Sequence, residues 1–143
     1  MARKPTAFPR SAQMRSIRKK DTKPEVAVRK LVHALGYRFR LHRSDIPGTP
    51  DLAFIRARKA IFVHGCFWHQ HRGCRWAKLP RARPEYWLPK LARNQERDVA
   101  NLKRLKRLGW KALVIWECEV AAPAAAQKKI ESFLSGNGRI LPR

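Results

Sequence analysis

The stretch from Val63 to Cys74 constrains the fold of this chain more than any other part of its sequence. Within twelve positions it contains two cysteines, three histidines and two adjacent large aromatic residues. Side chains of these types ligate metals, transfer protons and stack on nucleic-acid bases. The stretch offers little apolar material for a core of its own, so its composition favours an irregular loop that is held together by a metal.

Three residues of this stretch have the spacing of zinc ligands. Cys66, His71 and Cys74 follow the pattern C-x4-H-x2-C, and a closed tetrahedral zinc site needs a fourth ligand. Cys118 is the one remaining cysteine. It can reach the loop if the strand before it lies beside the strand that ends at Val63. We therefore predict a structural Zn²⁺ site made of three thiolates and one imidazole.

The other two histidines of the stretch are candidates for acid–base chemistry. Neutral imidazole can accept a proton from water near pH 7, and imidazolium can stabilise negative charge on a phosphorane. His64 and His69 are therefore predicted to act at a catalytic site. Two alternatives stay open from the residues alone: one of these histidines replaces His71 as the zinc ligand, or the three cysteines are free and His71 lies on the surface.

Asp51 is the candidate ligand for a hard cation. It follows the sequence Pro-Gly-Thr-Pro at residues 47–50 and begins a predicted strand. A carboxylate in such a place can hold Mg²⁺ together with water and phosphate oxygens. Aspartate is also common in turns, so its placement alone leaves a purely structural role open.

Aromatic residues in and near the loop are predicted to contact nucleic acid. Phe67 and Trp68 lie between the metal-ligating residues, and Trp87 follows the loop. On a stiff loop in a basic protein, such side chains serve as wedges between bases or as stacking surfaces. The alternative is a local aromatic core around the zinc.

The charge of the chain indicates a polyanionic partner. It has 33 Lys and Arg against 10 Asp and Glu, which gives a formal net charge of +23. Such a charge repels itself unless a polyanion neutralises it, and nucleic acid binds such chains through counterion release. A ribosomal or other structural nucleic-acid binder would have the same charge. The sequence has no apolar run of membrane-spanning length and no apolar signal region, so we expect no membrane association and a cytoplasmic location.

The chain is predicted to consist of a basic arm, residues 1–20, and a single domain, residues 21–143. Arg15, Lys19 and Lys20 of the arm are expected to contact DNA. The order of the predicted elements indicates an α/β domain with a small mixed sheet flanked by helices. The predicted helices are a first one capped by Thr22 and Glu25, a second over residues 85–108 and a third over 124–134; the predicted strands cover 37–41, 51–55, 60–63 and 111–116.

Three details of this pattern carry expectations about the second helix and the last strand. In the second helix, Pro89 predicts an early break or a fresh start. Its buried stripe is expected to be Leu91, Leu102, Leu105 and Leu108. The apolar run over 111–116 predicts a central strand.

Five blocks of sequence resemble the very-short-patch repair (Vsr) endonuclease family, and the resemblance extends over about residues 14–120. The blocks occur in the family's order and at its spacing. They are residues 20–25 (KDTKPE), 47–51 (PGTPD), 64–69 (HGCFWH), 94–98 (NQERD) and 116–118 (WEC).

The resemblance implies a restriction-endonuclease-like fold and a Mg²⁺-dependent endonuclease. Members of the family nick one DNA strand 5′ to the thymine of a T:G mismatch, which arises when 5-methylcytosine is deaminated. It also implies partners among mismatch-repair proteins and a cytosine methyltransferase system, action as a monomer, and a place in the bacterial cytoplasm at the nucleoid.

The resemblance also implies roles for individual residues. Asp51 matches the Mg²⁺ ligand and His69 the general base. Asp98 matches the acid that orients this histidine, His64 a second active-site histidine, and Glu25 an acid that reaches the site from the first helix. The matches to inserting aromatics are Phe67, Trp68 and Trp87, and those to zinc ligands are Cys66, His71, Cys74 and Cys118.

The chain departs from related patterns in two places. Restriction-enzyme folds usually carry a carboxylate and a lysine on the strand where this chain has Val63, and some Vsr relatives have threonine there. Only the backbone carbonyl of Val63 could therefore contact Mg²⁺. The loop over residues 71–74 is one residue longer than the shortest family loop.

Two functions other than a mismatch endonuclease are compatible with parts of this sequence. One is a zinc-stabilised, non-catalytic DNA-binding module, which would share the charge, the zinc ligands and the aromatics but gives no reason for Asp51, His69 and Asp98 to occur together. The other is a nuclease of the same fold with a different DNA target.

Overall fold

The computed structural model of the chain describes residues 21–136. The predicted basic arm, with Arg15, Lys19 and Lys20, lies outside the described residues, so the domain division stays a prediction. The elements in chain order are α1 (Lys23–Ala34), β1 (Arg40–Leu41), β2 (Leu52–Phe54), β3 (Lys59–His64), a 3₁₀ turn (Arg75–Ala77), α2 (Pro84–Arg107), β4 (Lys111–Trp116), α3 (Glu117–Val120) and α4 (Pro123–Ser135).

Helix α1 begins as its sequence predicts. The Thr22 hydroxyl accepts the Glu25 N–H at 3.4 Å, and Pro24 lies in the first turn, where its missing N–H costs nothing. The Glu25 carboxylate accepts the N–H of Asp21 at 2.9 Å rather than that of the cap residue. This hydrogen bond therefore fixes both the chain just before the helix and the position of the Glu25 carboxylate.

The end of α1 shortens the strand that follows it. The Gly36 N–H donates to His33 O at 3.0 Å and the Tyr37 N–H donates to Val32 O at 3.3 Å, while Gly36 has a φ of +91°. This is a Schellman ending of the helix. Tyr37 is therefore part of the helix cap and buried, and the strand predicted over 37–41 is reduced to β1.

The four strands form one mixed sheet in the order β1-β2-β3-β4. The first two pairings are antiparallel, and β3 pairs with β4 in parallel. The predicted small mixed sheet is thus confirmed, but β4 lies at an edge of the sheet as described and not at its centre. Its sequence is apolar because both faces are covered: Leu113 and Ile115 pack in one core, and Ala112 and Val114 pack in the other.

Helices flank the sheet on both faces. Helices α1 and α4 bury Val28, Val32, Ile130 and Leu134 against one face, together with Ile61 of β3. Leu105 of α2 packs on the opposite face with Ala60 and Phe62. The α/β class is therefore confirmed. No helix within residues 21–136 is long and apolar enough to span a bilayer.

Helix α2 differs from its prediction at two positions. It runs without a break through Pro89, because the carbonyl left without a partner one turn earlier lies on an exposed face, where water can serve it. Leu91 and Leu105 are buried as expected and Leu102 partly so, but Leu108 is 52% exposed. Leu108 lies beyond the last helical residue, where the chain turns away at Gly109 with a φ of +86°.

Candidate active site and metal cluster

The five residues predicted to take part in catalysis line one cleft of about 820 Å³. The cleft lies between the beginning of α1, the start of β2, the end of β3 and the inner side of α2. The antiparallel pairing of β2 and β3 brings the residue before β2 next to the last residues of β3. The residues brought together are Glu25, Asp51, His64, His69 and Asp98.

Asp51 is held by the backbone of β3. Its Oδ2 accepts the Val63 N–H at 2.6 Å, so the amide of Val63 contacts the carboxylate directly. Burial, opposed by the Val63 hydrogen bond and helped by the nearby Glu25 carboxylate, raises the pKa of Asp51 to about 6. A partly buried carboxylate with another acid beside it is suited to a cation.

His42 is a site residue that the sequence analysis missed. Its Nε2 lies 3.2 Å from Glu25 Oε1 and 3.9 Å from Asp51 Oδ1, so it stands between the two acids. The residue lies just past β1 and has a φ of +46°. Nothing in the local pattern indicates that turn, and the only available signal was a histidine near Asp51 in a chain with five histidines.

His69 and Asp98 form a hydrogen-bonded pair. Nδ1 of the imidazole lies 2.6 Å from Asp98 Oδ2. A carboxylate can only accept, so Nδ1 carries a proton, and in the neutral imidazole the lone pair is on Nε2. Asp98 lies on α2 and His69 on the loop, which places a positioning acid behind the predicted base.

His64 stacks on His69 and is neutral. The two rings are parallel within 6°, with their centroids 3.8 Å apart. Burial and the neighbouring His69, opposed by Asp98, together lower the pKa of His64 to about 4. Nδ1 of His64 is buried and has no hydrogen-bond partner among residues 21–136. A buried donor without a partner is costly, so the proton belongs on Nε2.

The second cluster consists of the predicted zinc ligands. Parallel pairing of β3 and β4 brings Cys118 to the loop, as expected from the sequence. The Nδ1 of His71 lies 3.4 Å from the Sγ of Cys118 and 3.7 Å from that of Cys66. Ligand atoms of all four residues, Cys74 included, lie within 4.8 Å of one another.

The donor set and its spacing fit a tetrahedral thiophilic metal. Bond lengths of roughly 2.3 Å to sulfur and 2.0 Å to nitrogen give a tetrahedral edge of about 3.6 Å. Burial raises the pKa of the Cys66 thiol to about 12. A cation is therefore needed to hold this sulfur as a thiolate. His71 belongs to this cluster, whereas His64 and His69 lie with Asp98.

The three aromatics predicted to contact DNA pack against one another. The ring of Phe67 lies 5.0 Å from that of Trp68 and 5.2 Å from that of Trp87, both edge-to-face. Trp87 is only 3% exposed, whereas the other two are half-buried. Phe67 and Trp68 are thus accessible at the surface, and insertion of Trp87 requires this aromatic cluster to open.

Two polar residues connect the cleft to the metal cluster, and their roles were not predicted. Asn94 of α2 donates from Nδ2 to the Trp68 carbonyl at 3.0 Å. Glu117 accepts the Cys66 N–H at 3.4 Å and also lines the cleft. These hydrogen bonds attach the loop to α2 and to the start of α3, and so hold the aromatics and His69 in position.

The fold and the site define a class of protein. An acid, a His–Asp pair and a second imidazole share a cleft in a strongly basic chain. These are the groups that a phosphodiester hydrolase acting on nucleic acid requires. The family model of the DNA mismatch endonuclease Vsr matches residues 4–76. The chain belongs to this family, and the expectation of an endonuclease is confirmed.

Individual relatives are similar over most of their length. The type II nicking enzyme V.XorIIP of Xanthomonas oryzae is 48% identical over 121 residues, which cover 85% of this chain and 88% of the relative. The DNA mismatch endonuclease Vsr of Escherichia coli is 39% identical over 134 residues, covering 90% and 85%. The type II nicking enzyme V.NmeAIP of Neisseria meningitidis is 37% identical over 129 residues, covering 90% and 91%.

Proposed function

We propose that the protein is a Mg²⁺-dependent endonuclease that nicks one strand of duplex DNA 5′ to the thymine of a T:G mismatch left by deamination of 5-methylcytosine. The observation that carries the proposal is the His69–Asp98 pair, stacked on His64 in the cleft that also holds Asp51. Family membership and a relative named as a DNA mismatch endonuclease support the same target.

The proposal includes a restriction-endonuclease-like fold. Support comes from the mixed sheet with helices on both faces and from an acid at the start of β2, next to the end of β3. Asp51 and the carbonyl of Val63 would hold Mg²⁺. When bound, this cation neutralises charge on the scissile phosphate and on the leaving 3′ oxygen. The acids Asp51 and Glu25 and the adjacent His42 make a ligand environment of this kind.

The chain's own residues supply the proton transfers. His69 accepts a proton from the attacking water at Nε2, and Asp98 holds Nδ1 and stabilises the imidazolium that forms. We expected from the sequence that His64 would act as an imidazolium. With a pKa of about 4 it is neutral at pH 7, and it instead donates the Nε2 hydrogen bond to a phosphate oxygen.

Zinc has a structural role in this proposal. Cys66, His71, Cys74 and Cys118 would hold Zn²⁺ in a closed site with no open position for substrate. The site fixes the loop that carries His69 and the aromatics. Phe67 and Trp68 would insert beside the mismatch with Trp87 behind them, because a T:G wobble is easier to unstack than a Watson–Crick pair. The arm residues Arg15, Lys19 and Lys20 would contact phosphates.

Because the chain belongs to an endonuclease family, we do not propose a non-catalytic DNA-binding module as its function. Another DNA target remains as an outcome of the test, since several relatives are named type II nicking enzymes. The test is nicking of labelled duplexes with T:G, A:T or G:C at one position, with Mg²⁺ or with EDTA. Mismatch-repair proteins and a cytosine methyltransferase system are the proposed partners, with the enzyme acting as a monomer at the bacterial nucleoid in the cytoplasm.

A further inference from the structure

The loop that follows His71, the second metal-cluster residue, carries a set of cations without acids. Between Asp51 and Glu85 the sequence has no Asp or Glu at all. We call the exposed part of residues 72–83 the zinc-loop surface. Its cations are Arg72, Arg75, Lys78, Arg81 and Arg83.

These cations are available to an outside partner. All five residues are exposed, and none forms an ion pair with an acid in the described part of the chain. Within residues 21–136, Arg83 is the one of the five whose side chain has a recorded contact, with its guanidinium 4.8 Å from the ring centre of Tyr86. Like charges gathered on one short loop repel one another unless anions lie between them.

Two large apolar side chains are exposed among the cations. Trp76 is 46% exposed and Leu79 is 40% exposed. Trp76 lies on the 3₁₀ turn Arg75–Ala77, so its place is set by backbone hydrogen bonds. An exposed tryptophan surrounded by Arg and Lys is suited to a surface that is both anionic and partly apolar, as the sugar–phosphate backbone is.

The zinc-loop surface is rigidly connected to the aromatics of the cleft. Gln70 donates from Nε2 to the carbonyl of Phe67 at 2.7 Å and to that of Ala77 at 3.1 Å. His71 and Cys74 of the metal cluster hold the beginning of the same loop. A DNA molecule that contacts Phe67 therefore continues past a surface whose position is already fixed.

We propose that the zinc-loop surface binds the backbone of the duplex that flanks the nicking site on one side, with its cations on phosphates and Trp76 on a deoxyribose. The position of the flank rests on the proposed function, because the mismatch sets the register. The charge contact itself does not depend on where the enzyme cuts.

The test is the salt dependence of duplex binding by the zinc-loaded protein in buffer without Mg²⁺, where no nicking is required. Each phosphate contact contributes about 0.9 to the slope of log affinity against log salt. Replacing Arg72, Lys78 and Arg81 together by Ala should therefore lower the slope by about 2 to 3. Arg83 is left unchanged because it packs on Tyr86. Trp76→Ala should weaken binding at every salt concentration and leave the slope unchanged, because an apolar contact releases no counterions.

The matched control removes the same charge elsewhere. Lys30, Arg56 and Lys128 are exposed cations on other elements, and their triple Ala variant should keep the wild-type slope. The proposal would be overturned if the loop variant kept the wild-type slope, or if the control variant lowered the slope by as much as the loop variant does. If the triple Ala variant melts at a lower temperature than wild type, the double variant with Arg72→Gln and Arg81→Gln replaces it. This double variant should lower the slope by about 2. An unchanged slope in the double variant would also overturn the proposal.

The side of the flank is tested with duplexes of equal length that carry T:G near one end or near the other. The affinity of the loop variant should fall below that of wild type on only one of the two duplexes. Equal effects on both would overturn the placement on one flank. Absence of T:G nicking by the wild-type protein would count against the proposed function and would leave the salt-slope result intact.

Discussion

The imidazole of His69 is fixed on two sides: Nδ1 lies 2.6 Å from Asp98 Oδ2, and the ring lies parallel to that of His64 at 3.8 Å. The hydrogen bond sets the tautomer, and the stacking sets the ring plane. The lone pair on Nε2 therefore has one direction. This arrangement needs residues from the loop, from the end of β3 and from α2, so it exists only in the folded chain.

Loss of the orienting acid should reduce nicking and leave DNA binding intact. Asp98→Asn can present a donor to Nδ1, which favours the tautomer without a lone pair on Nε2. We expect nicking to fall by about 10²- to 10⁴-fold, the size of a general-base contribution. Glu96→Gln is the matched control, because this exposed residue lies on the same helix. Equal activity of the Asn variant and wild type would refute the role of Asp98.

The ionised Asp51 carboxylate should lower the free energy of unfolding of the protein when no Mg²⁺ is bound. Its pKa is raised from 3.8 to about 6, so the folded state holds the proton more tightly than the unfolded state. The free energy of unfolding therefore falls as pH rises from about 4 to about 6 and stays low above that. Asp51→Asn should stabilise the Mg²⁺-free protein at pH 7.5, by up to about 3 kcal/mol.

Thermal melts in buffer without Mg²⁺ and without a chelator, at pH 4 and pH 7.5, test this account of Asp51. The gain in the Asn variant should be present at the higher pH and absent at the lower one. Added Mg²⁺ should stabilise wild type and not the variant. A variant that is less stable than wild type at pH 7.5 would show that the carboxylate is not strained by burial.

His42 should be required for metal affinity. It holds the Glu25 carboxylate beside Asp51, so His42→Ala should raise the Mg²⁺ concentration for half-maximal nicking about tenfold, equivalent to about 1.4 kcal/mol. His42→Gln should restore most of the affinity, because its amide can donate to the same oxygen. His33→Gln, at an exposed position on α1, is the control. A purely structural role would lower the melting temperature and leave the Mg²⁺ dependence unchanged.

The metal cluster should hold about one Zn²⁺ per chain. Cys118→Ser is expected to lose zinc and to lower the melting temperature, since a structural metal contributes directly to folding. His71→Ala should lose zinc as well, and His69→Ala should retain it. The reverse pattern in elemental analysis would mean that the two histidines have exchanged roles. A folded, active preparation without zinc would rule out the cluster as a zinc site.

The parts of the molecule that the sequence predicted well depend on local chemistry. The cap of α1, the antiparallel pair β2–β3 and the proximity of Cys118 to Cys66 follow from turn residues, alternation and ligand spacing. The four-residue metal cluster also restricts its own geometry, because few arrangements bring three sulfurs and a nitrogen together.

The parts that it missed depend on long-range packing or on unusual backbone angles. His42 reaches Glu25 only because its φ is positive, and the sequence does not reveal this. Asn94 contacts a backbone carbonyl of the loop, and a carbonyl leaves no signal in the sequence. The apolar run of β4 predicted a central strand because coverage of both faces and pairing at both edges produce the same pattern.

The most direct measurement is strand-specific nicking of a duplex with one T:G pair, compared with the same duplex carrying A:T. The account predicts a cut 5′ to the thymine in the T:G duplex with Mg²⁺, none in EDTA, and none with Asp51→Ala. It also predicts that Trp68→Ala loses the preference for T:G and turnover together, while binding to random duplex changes little. Cutting of A:T and T:G duplexes at equal rates by the wild-type protein would contradict it.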